Sequence, residues 1–297
     1  MATSTGNFGQ LLEPGLTSIW GLEQKAWESE YDKFMEIRTS KKAIENTLSM
    51  TGFGVMPAKP EGQSVIYDDP IQGFKQSLTN VSYGLGCIIT LEMYEDDLYD
   101  KINTIPKLLA RAGNYRVEVA SANVLNRAFN SSYTGADGIC LCSTSHKRID
   151  GGTVQNTLAT AADLSMTSLE QSFIDISAYV DDRGILMKAI PKKLIVPPTL
   201  LWTAKQLMKS TKDPETANNA INPAEGMMPI VLNHFLTDTD AWFVQTDVPN
   251  GALFYWRRRP AFTKDNDHDS DNAKFKATMR FVTGWDDYRN IYGSPGA

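Results

Sequence analysis

Three residues of the types used by serine hydrolases, Ser143, His146 and Asp150, lie close together in the sequence. A nucleophile, a base and an orienting carboxylate catalyse acyl transfer only when all three converge in space. Residues of one short strand-to-loop segment rarely converge, and the chain lacks the Gly-x-Ser-x-Gly sequence that exposes a nucleophile on a sharp turn. The pattern therefore favours a structural loop, and a hydrolase using Ser143 and His146 is the alternative from another functional class.

A run of carboxylates at alternate positions, residues 265–271, has the spacing of a calcium-binding loop. Such a loop needs glycine at its sharp turn and a bidentate glutamate at its end. Ser270 and Lys276 occupy these two positions. We therefore predict a solvated acidic loop and no metal site.

The three cysteines, Cys87, Cys140 and Cys142, are too few and too unevenly spaced for a disulfide framework or a zinc site. They are predicted to be buried thiols in a reducing cytoplasm. Phosphate-binding glycine loops, dinucleotide-binding motifs and His-Glu-x-x-His are absent from the sequence. No cofactor is predicted.

Basic residues cluster in two C-terminal segments, as Arg257, Arg258 and Arg259 and then as Lys274, Lys276 and Arg280. They are suited either to touching nucleic acid or to pairing with carboxylates of a neighbouring molecule, and the second interpretation is favoured. The net charge of −6 and the pI near 5.2 argue against a protein that grips nucleic acid, because phosphate neutralisation dominates that affinity. Any DNA contact is therefore expected to be local, weak and non-specific.

The element that dominates the chain is a strand followed by a long helix. Residues 81–93 are rich in β-branched and aromatic side chains with two glycines, which is typical of a strand with close backbone neighbours. Residues 94–100 place carboxylates where a helix N-terminus favours negative charge. Apolar residues then recur at the three- and four-residue spacing of one helix face; these are Leu98, Ile102, Ile105, Leu109, Ala112, Val119 and Ala122.

The flanking segments predict a mixed α+β protein. A helix is expected over residues 22–39, and residues 50–83 read as an extended arm with strands at 63–67 and 74–83. Thr167 and Glu170 have the spacing of a capping box heading a helix. A buried strand is expected at 193–196, and two long strands are expected in the C-terminal fifth. Elements in this irregular order favour α+β over a wound parallel sheet.

Length and composition limit the classes of protein to which the chain can belong. The 297 residues, 42% hydrophobic and 22% charged, suffice for a substantial core. The N-terminus has no basic and apolar signal-peptide pattern, and no apolar run is long enough to cross a membrane. Folding in the cytoplasm without a membrane partner is the expectation.

Several runs, taken together and in order, resemble the major capsid proteins of tailed phages. The first is Tyr83-Gly-Leu-Gly followed by Ile-Thr-x-Glu and Glu-Asp-Asp-Leu-Tyr. The others are Asn126-Arg-Ala-Phe129, the run from Asp137 to His146, Leu194-Ile-Val-Pro-Pro198, and the run from Gly284 to Ser294. The likeness covers roughly residues 50–294, and its motifs are structural rather than catalytic.

The resemblance implies the Hong Kong ninety-seven-type capsid fold, with an N-terminal arm, an extended β-loop, a peripheral domain holding a long spine helix, and an axial domain. The implied boundaries are 1–49 for the arm and its helix, 50–92 for the extended loop, 93–150 for the peripheral domain with the spine helix, 151–244 for the axial domain, and 245–297 for the C-terminal strands and tail. Some relatives carry a cleavable scaffolding domain fused at the N-terminus; because this sequence shows none, scaffolding is expected to be a separate protein or to have been removed already.

By resemblance, the chain assembles with itself into hexamers and pentamers of an icosahedral head that encloses double-stranded DNA. It would be made in the host cytoplasm and reside in the virion, meeting a portal and separate scaffolding or decoration proteins. The implied assembly contacts are Phe53, Lys59, Phe74, Lys75 and Tyr83. Some relatives crosslink a lysine of this loop to a neighbour; Lys59 and Lys75 share only the residue type, and no crosslink is predicted. An encapsulin-type compartment, which encloses enzymes, is the alternative within the same fold.

Overall fold

Two four-stranded sheets and one long helix dominate the computed structural model, which describes residues 9–90, 104–212, 221–266 and 272–297. The helices are α1 Gly9–Ala26, α2 Thr104–Asn126, α3 Met166–Ser177 and α4 Leu201–Lys209. The strands are β1 Glu36–Thr39, β2 Ile44–Met50, β3 Gln72–Thr79, β4 Val81–Ile89, β5 His146–Lys147, β6 Thr153–Val154, β7 Pro191–Val196, β8 Ile230–Leu232, β9 Trp242–Thr246, β10 Ala252–Asn266, β11 Ala273–Trp285 and β12 Ile291–Ser294.

The first sheet has the order β1-β10-β11-β4, with β1 parallel to β10 and the other pairs antiparallel. The alternation in β11 predicted from the sequence is confirmed, since Phe275, Met279 and Phe281 are buried while Lys274 and Lys276 are exposed. One face of this sheet therefore meets the helices, and the other carries the basic residues.

Helix α2 packs against β11 and α1 and joins the sheets through one hydrophobic core. The predicted helix is confirmed where it is described, and Leu109 and Ala122 are buried as expected. Ile105, Ala112 and Val119 are only half-buried. The acidic residues predicted to head the helix, together with Leu98 and Ile102, lie outside the described residues.

The second sheet has the order β12-β9-β7-β8. Leu194, Ile195 and Val196 of β7 are fully buried, which confirms the predicted strand. Pro198 opens a short 3-10 turn that leads into α4, where a proline is tolerated because the first N–H groups of a helix have no partner.

Strands β2 and β3 form an isolated antiparallel hairpin, and residues 51–71 connect them. We call residues 44–79 the ribbon. Apart from the buried Leu78, its strands have exposed and half-buried positions and form no hydrophobic core of their own. A lone hairpin is marginally stable in water. The ribbon therefore depends on contacts with something else.

Three local predictions were wrong. Helix α1 ends at Ala26 and residues 36–39 form β1, so the helix expected over 22–39 stops early. The strand expected at 63–67 is absent, and β2 is the partner of β3 instead. The capping box of α3 is formed by Ser165 and Ser168, two residues before the expected pair.

Candidate assembly interface

The most exposed apolar surface of the described chain lies in the ribbon. Met56 is 91% exposed, Tyr67 93% and Val55 77%. The large apolar side chains exposed in this segment are Ile44, Leu48, Met50, Phe53, Val55, Met56, Val65, Ile66, Tyr67 and Ile71. Such a concentration of exposed apolar side chains in one segment is typical of an interaction site.

The sequence explains why residues 51–71 form no regular strands. Pro57, Pro60 and Pro70 cannot donate to a strand ladder. Gly62 lies in a turn at φ +79°, a left-handed conformation that disfavours other residues. The segment extends from the body of the protein without burying its apolar side chains.

The root of the ribbon is fixed to the first sheet. Leu78 is buried in a small cluster with Leu253 and Tyr255. Gly284 of β11 lies directly beneath Leu78, since a Cβ there would lie 2.5 Å from a methyl carbon of Leu78. Asn80 donates from Nδ2 to the Ser40 hydroxyl at 2.9 Å, which closes the other side of the root.

A second contact holds the far part of the ribbon. The guanidinium of Arg183 pairs with Asp68 and also donates to the carbonyl of Asp69. The backbone N–H of Gly54 donates to Asp68 Oδ2 at 2.7 Å. This hydrogen bond, and then the bond from Arg183, lower the pKa of the Asp68 carboxyl.

The residues predicted as assembly contacts occupy different environments. Phe53 and Lys59 are exposed in the irregular segment, and Lys75 is exposed on β3 beside the half-buried Phe74. Tyr83 is engaged within the subunit. Its ring centroid lies 4.8 Å from that of Phe281, and the guanidinium of Arg116 lies 4.5 Å from the ring centroid.

The predicted basic residues separate into distinct groups. Arg257, Arg258 and Arg280 line one concavity with Ser82. The guanidinium of Arg259 instead lies 5.8 Å from the ring centroid of Trp256.

Farther along the first sheet, Lys276 and Lys274 stand apart from this concavity. Lys276 is exposed opposite Thr263, and Lys274 stands opposite the carboxylate residue Asp265.

The residues of the hydrolase alternative do not converge. His146 is fully buried, and its Nδ1 lies 2.6 Å from Asp137 Oδ2. The Ser143 hydroxyl lies 3.4 Å from that of Ser145, and Asp150 pairs with Arg148 at 2.9 Å. His146 is therefore a structural residue, and Asp137 is its partner, which the sequence pattern did not identify.

Another buried polar residue that the sequence did not identify is Glu118 of α2. Its carboxylate accepts hydrogen bonds from the backbone N–H groups of Glu30 at 2.9 Å and Tyr31 at 3.1 Å. Burial raises the pKa of the Glu118 carboxyl. This carboxylate fixes the turn between α1 and β1 against the long helix.

Across residues 9–90, 104–212, 221–266 and 272–297, no cluster of histidine, cysteine and acidic side chains is arranged to hold a metal ion. Most of the predicted acidic loop, residues 267–271, lies outside these ranges. No described helix is both long enough and apolar enough to span a bilayer.

The fold has counterparts among solved capsids. The cyanophage P-SCSP1u capsid matches with a TM-score of 0.58 at 10% identity, covering 89% of this chain and 86% of that chain. The bacteriophage JBD30 capsid matches with a TM-score of 0.57 at 16% identity, covering 71% and 92%. The capsid of an empty GTA particle matches with a TM-score of 0.55 at 14% identity, covering 90% of both chains. These likenesses establish the Hong Kong ninety-seven-type fold.

The family follows from the sequence itself. The model of the phage capsid protein family matches residues 75–294, and the chain belongs to that family. A search of curated proteins finds no significant match. The chain is thus a structural capsid subunit of the virion and not an enzyme.

Proposed function

We propose that this chain is the repeating subunit of an icosahedral head that encloses double-stranded DNA. Subunits form hexamers and pentamers, and the ribbon of each lies across its neighbour. The observation that carries this proposal is the set of exposed apolar side chains at residues 51–71, which find no core within their own subunit.

The energetics favour such a contact. Burying an exposed Val, Ile, Phe or Met side chain gains about 1.5–3 kcal/mol. Val55, Met56 and Ile66 together therefore supply several kcal/mol if a neighbour covers them. Head-to-tail contacts close into rings when the rotation between subunits permits it. Because each subunit makes several contacts in a shell, modest individual interfaces suffice.

Other proteins are proposed to meet the assembled shell. One solved relative, the JBD30 capsid, is decorated with minor capsid protein trimers. For this chain we propose a portal and separate scaffolding or decoration proteins as partners, and weak non-specific contacts with the enclosed DNA.

The test is to replace residues 52–70 with a short glycine-serine linker that joins β2 to β3. This change spares Leu78 and Asn80, which are buried at the root. We expect a folded subunit with a cooperative melt that forms no closed particles in electron microscopy. Normal particles from this variant would contradict the proposed role of the ribbon.

The contents of wild-type particles test the second part of the proposal. Nuclease-protected double-stranded DNA is expected inside purified particles. Particles that instead enclose a protein cargo and no DNA would support the encapsulin-type alternative.

A further inference from the structure

A concavity lined by three arginines lies at the root of the ribbon. Its volume is about 340 Å³, and its walls are Ser82 of β4, Arg257 and Arg258 of β10, and Arg280 of β11. We call it the arginine pocket.

A local irregularity of β10 brings two consecutive arginines to this pocket. Successive side chains of a regular strand point to opposite faces of the sheet. The pairing of β10 with β11 shifts register between Trp256 and Arg258 and again between Arg258 and Ala261. Bulges of this kind re-aim side chains and are frequent beside functional sites. Arg257 and Arg258 consequently line the same concavity.

Within the described residues, the positive charge in the pocket is not compensated by a carboxylate. Arg258 stands directly opposite Arg280 across the two strands, and like charges in that position are destabilising. Among the ion pairs of the described residues, none involves Arg257, Arg258 or Arg280.

The hydrogen bonds that these arginines do make are long. Arg257 Nη1 donates to the Ser40 carbonyl at 3.4 Å, and Arg280 Nη2 donates to the Asn80 carbonyl at 3.5 Å. Arg280 Nε is buried and has no acceptor, and a buried donor without a partner is costly. The pocket therefore has donors for which the part of the chain that the structure describes supplies no good acceptor.

We propose that the arginine pocket binds a carboxylate of a second copy of this chain. Guanidinium groups match the planar geometry of carboxylates and bind them with two parallel hydrogen bonds. The proposal rests on the proposed function, because it requires a neighbouring subunit at the root of the ribbon.

Two observations favour a carboxylate over the phosphates of DNA. A DNA-binding surface needs positive charge extended along the phosphate backbone. Here three arginines share one compact concavity, whereas Lys274 stands opposite Asp265 and Arg259 lies over Trp256. The chain also carries 35 acidic against 29 basic residues, so neighbouring copies have carboxylates to offer.

The position of the pocket gives the bound carboxylate a structural role. Ser40 and Asn80 flank the ribbon, and their carbonyls accept the hydrogen bonds of Arg257 and Arg280. A carboxylate bound between these arginines would fix their side chains at both edges of the root. Binding of the second copy would then hold the ribbon in one orientation.

The experiment compares Arg258→Gln and Arg280→Gln with the control Arg259→Gln, which removes the same charge from the same strand outside the pocket. The free Arg258→Gln subunit should melt at or above the wild-type temperature, because a like-charge pair is removed. Its assembly rate, followed by light scattering, should fall by about tenfold or more, the loss expected for a charge-assisted hydrogen bond. The control should assemble at the wild-type rate.

Inorganic phosphate serves as a probe of the pocket. At matched ionic strength it should raise the melting temperature of free wild-type and Arg259→Gln subunits relative to chloride, and slow their assembly. Arg258→Gln should show neither effect.

Other outcomes overturn the proposal. Wild-type assembly rates in both pocket variants would show that the pocket is not an assembly contact. Normal assembly with loss of protected DNA would assign the pocket to packaged DNA. If the wild-type protein forms no rings or shells, the proposed function is wrong, and so is the proposal that the pocket binds a carboxylate of a second copy. The shift in melting temperature with phosphate would still show whether the pocket binds an oxyanion.

Discussion

The imidazole of His146 is fully buried and has an oxygen acceptor at each ring nitrogen. Nδ1 lies 2.6 Å from Asp137 Oδ2, and Nε2 lies 3.2 Å from the carbonyl of Leu141. The ring also stacks on Tyr288, with the centroids 3.7 Å apart. These contacts at both ring nitrogens and on the ring face hold the imidazole in one position. His146, which the sequence suggested as a catalytic base, therefore has a structural role and fixes a loop.

A half-buried carboxylate, Asp286, allows a prediction about pH. Burial, and then the neighbouring charge of Asp287, raise the pKa of Asp286 to about 6 from an ordinary value of 3.8. Because the folded state holds the proton more tightly than the unfolded state, stability contributed by this group rises as pH falls from about 6 to about 4. At pH 7 the ionised carboxylate is therefore destabilising.

We expect Asp286→Asn to raise the free energy of unfolding of free subunits at pH 7. The shift of roughly two pKa units is discounted for partial exposure to about 1 kcal/mol. The gain should disappear below about pH 4, where the wild-type carboxyl is already protonated. Urea titrations at both pH values measure the difference. An equal gain at both would show that the effect does not come from the charge.

At the scale of elements, the long helix was predictable and its neighbours were less so. The three- and four-residue apolar spacing identified α2, but the most buried part of the helix includes Val117, Val124 and Leu125, which that single-face pattern omitted. The reason is that α2 contacts both α1 and β11. A helix covered on two sides has a wider apolar face than a simple amphipathic pattern predicts.

The prediction of a helix over residues 22–39 was wrong for a similar reason. Residues 36–39 pair in parallel with residues 253–256 of β10, far away in the sequence. The turn before them is held by Glu118. These long-range contacts outweigh the helix propensity of Glu and Lys, and no local pattern reports them.

Two leucines of α2 provide a matched comparison. Leu125 is 1% exposed, whereas Leu108 is 56% exposed on the same helix. Leu125→Ala should lower the free energy of unfolding by about 2–5 kcal/mol, because it removes buried methyl groups and leaves a cavity. Leu108→Ala should change it by about 0.5 kcal/mol or less. Denaturant titration of free subunits measures both, and equal losses would show that the buried face has been assigned wrongly.

At the scale of the whole molecule, the order of motifs from residue 50 to 294 was enough to identify the family, and the match over residues 75–294 confirms it. The fold class followed as well. The ribbon root and the arginine pocket could not be predicted from the sequence, because they depend on a bulge and on the burial of Leu78 and Asn80. Such features arise from packing between distant segments and leave no spacing in the sequence.

The ribbon should change its accessibility when the shell forms. The bond between Glu61 and Gly62 lies in the exposed turn of the ribbon, and a glutamate-specific protease should cut it in free subunits. The bond between Glu225 and Gly226 has the same residue types in another exposed turn, where Gly226 has φ +68°. In assembled particles we expect cleavage after Glu61 to slow by about tenfold or more, since the proposed contact with the neighbour buries the segment and cleavage requires it to open locally. Mass spectrometry of the fragments compares the two bonds directly. Equal protection at both would point to exclusion of the protease by the shell, and unchanged cleavage after Glu61 would mean that no neighbour covers the ribbon.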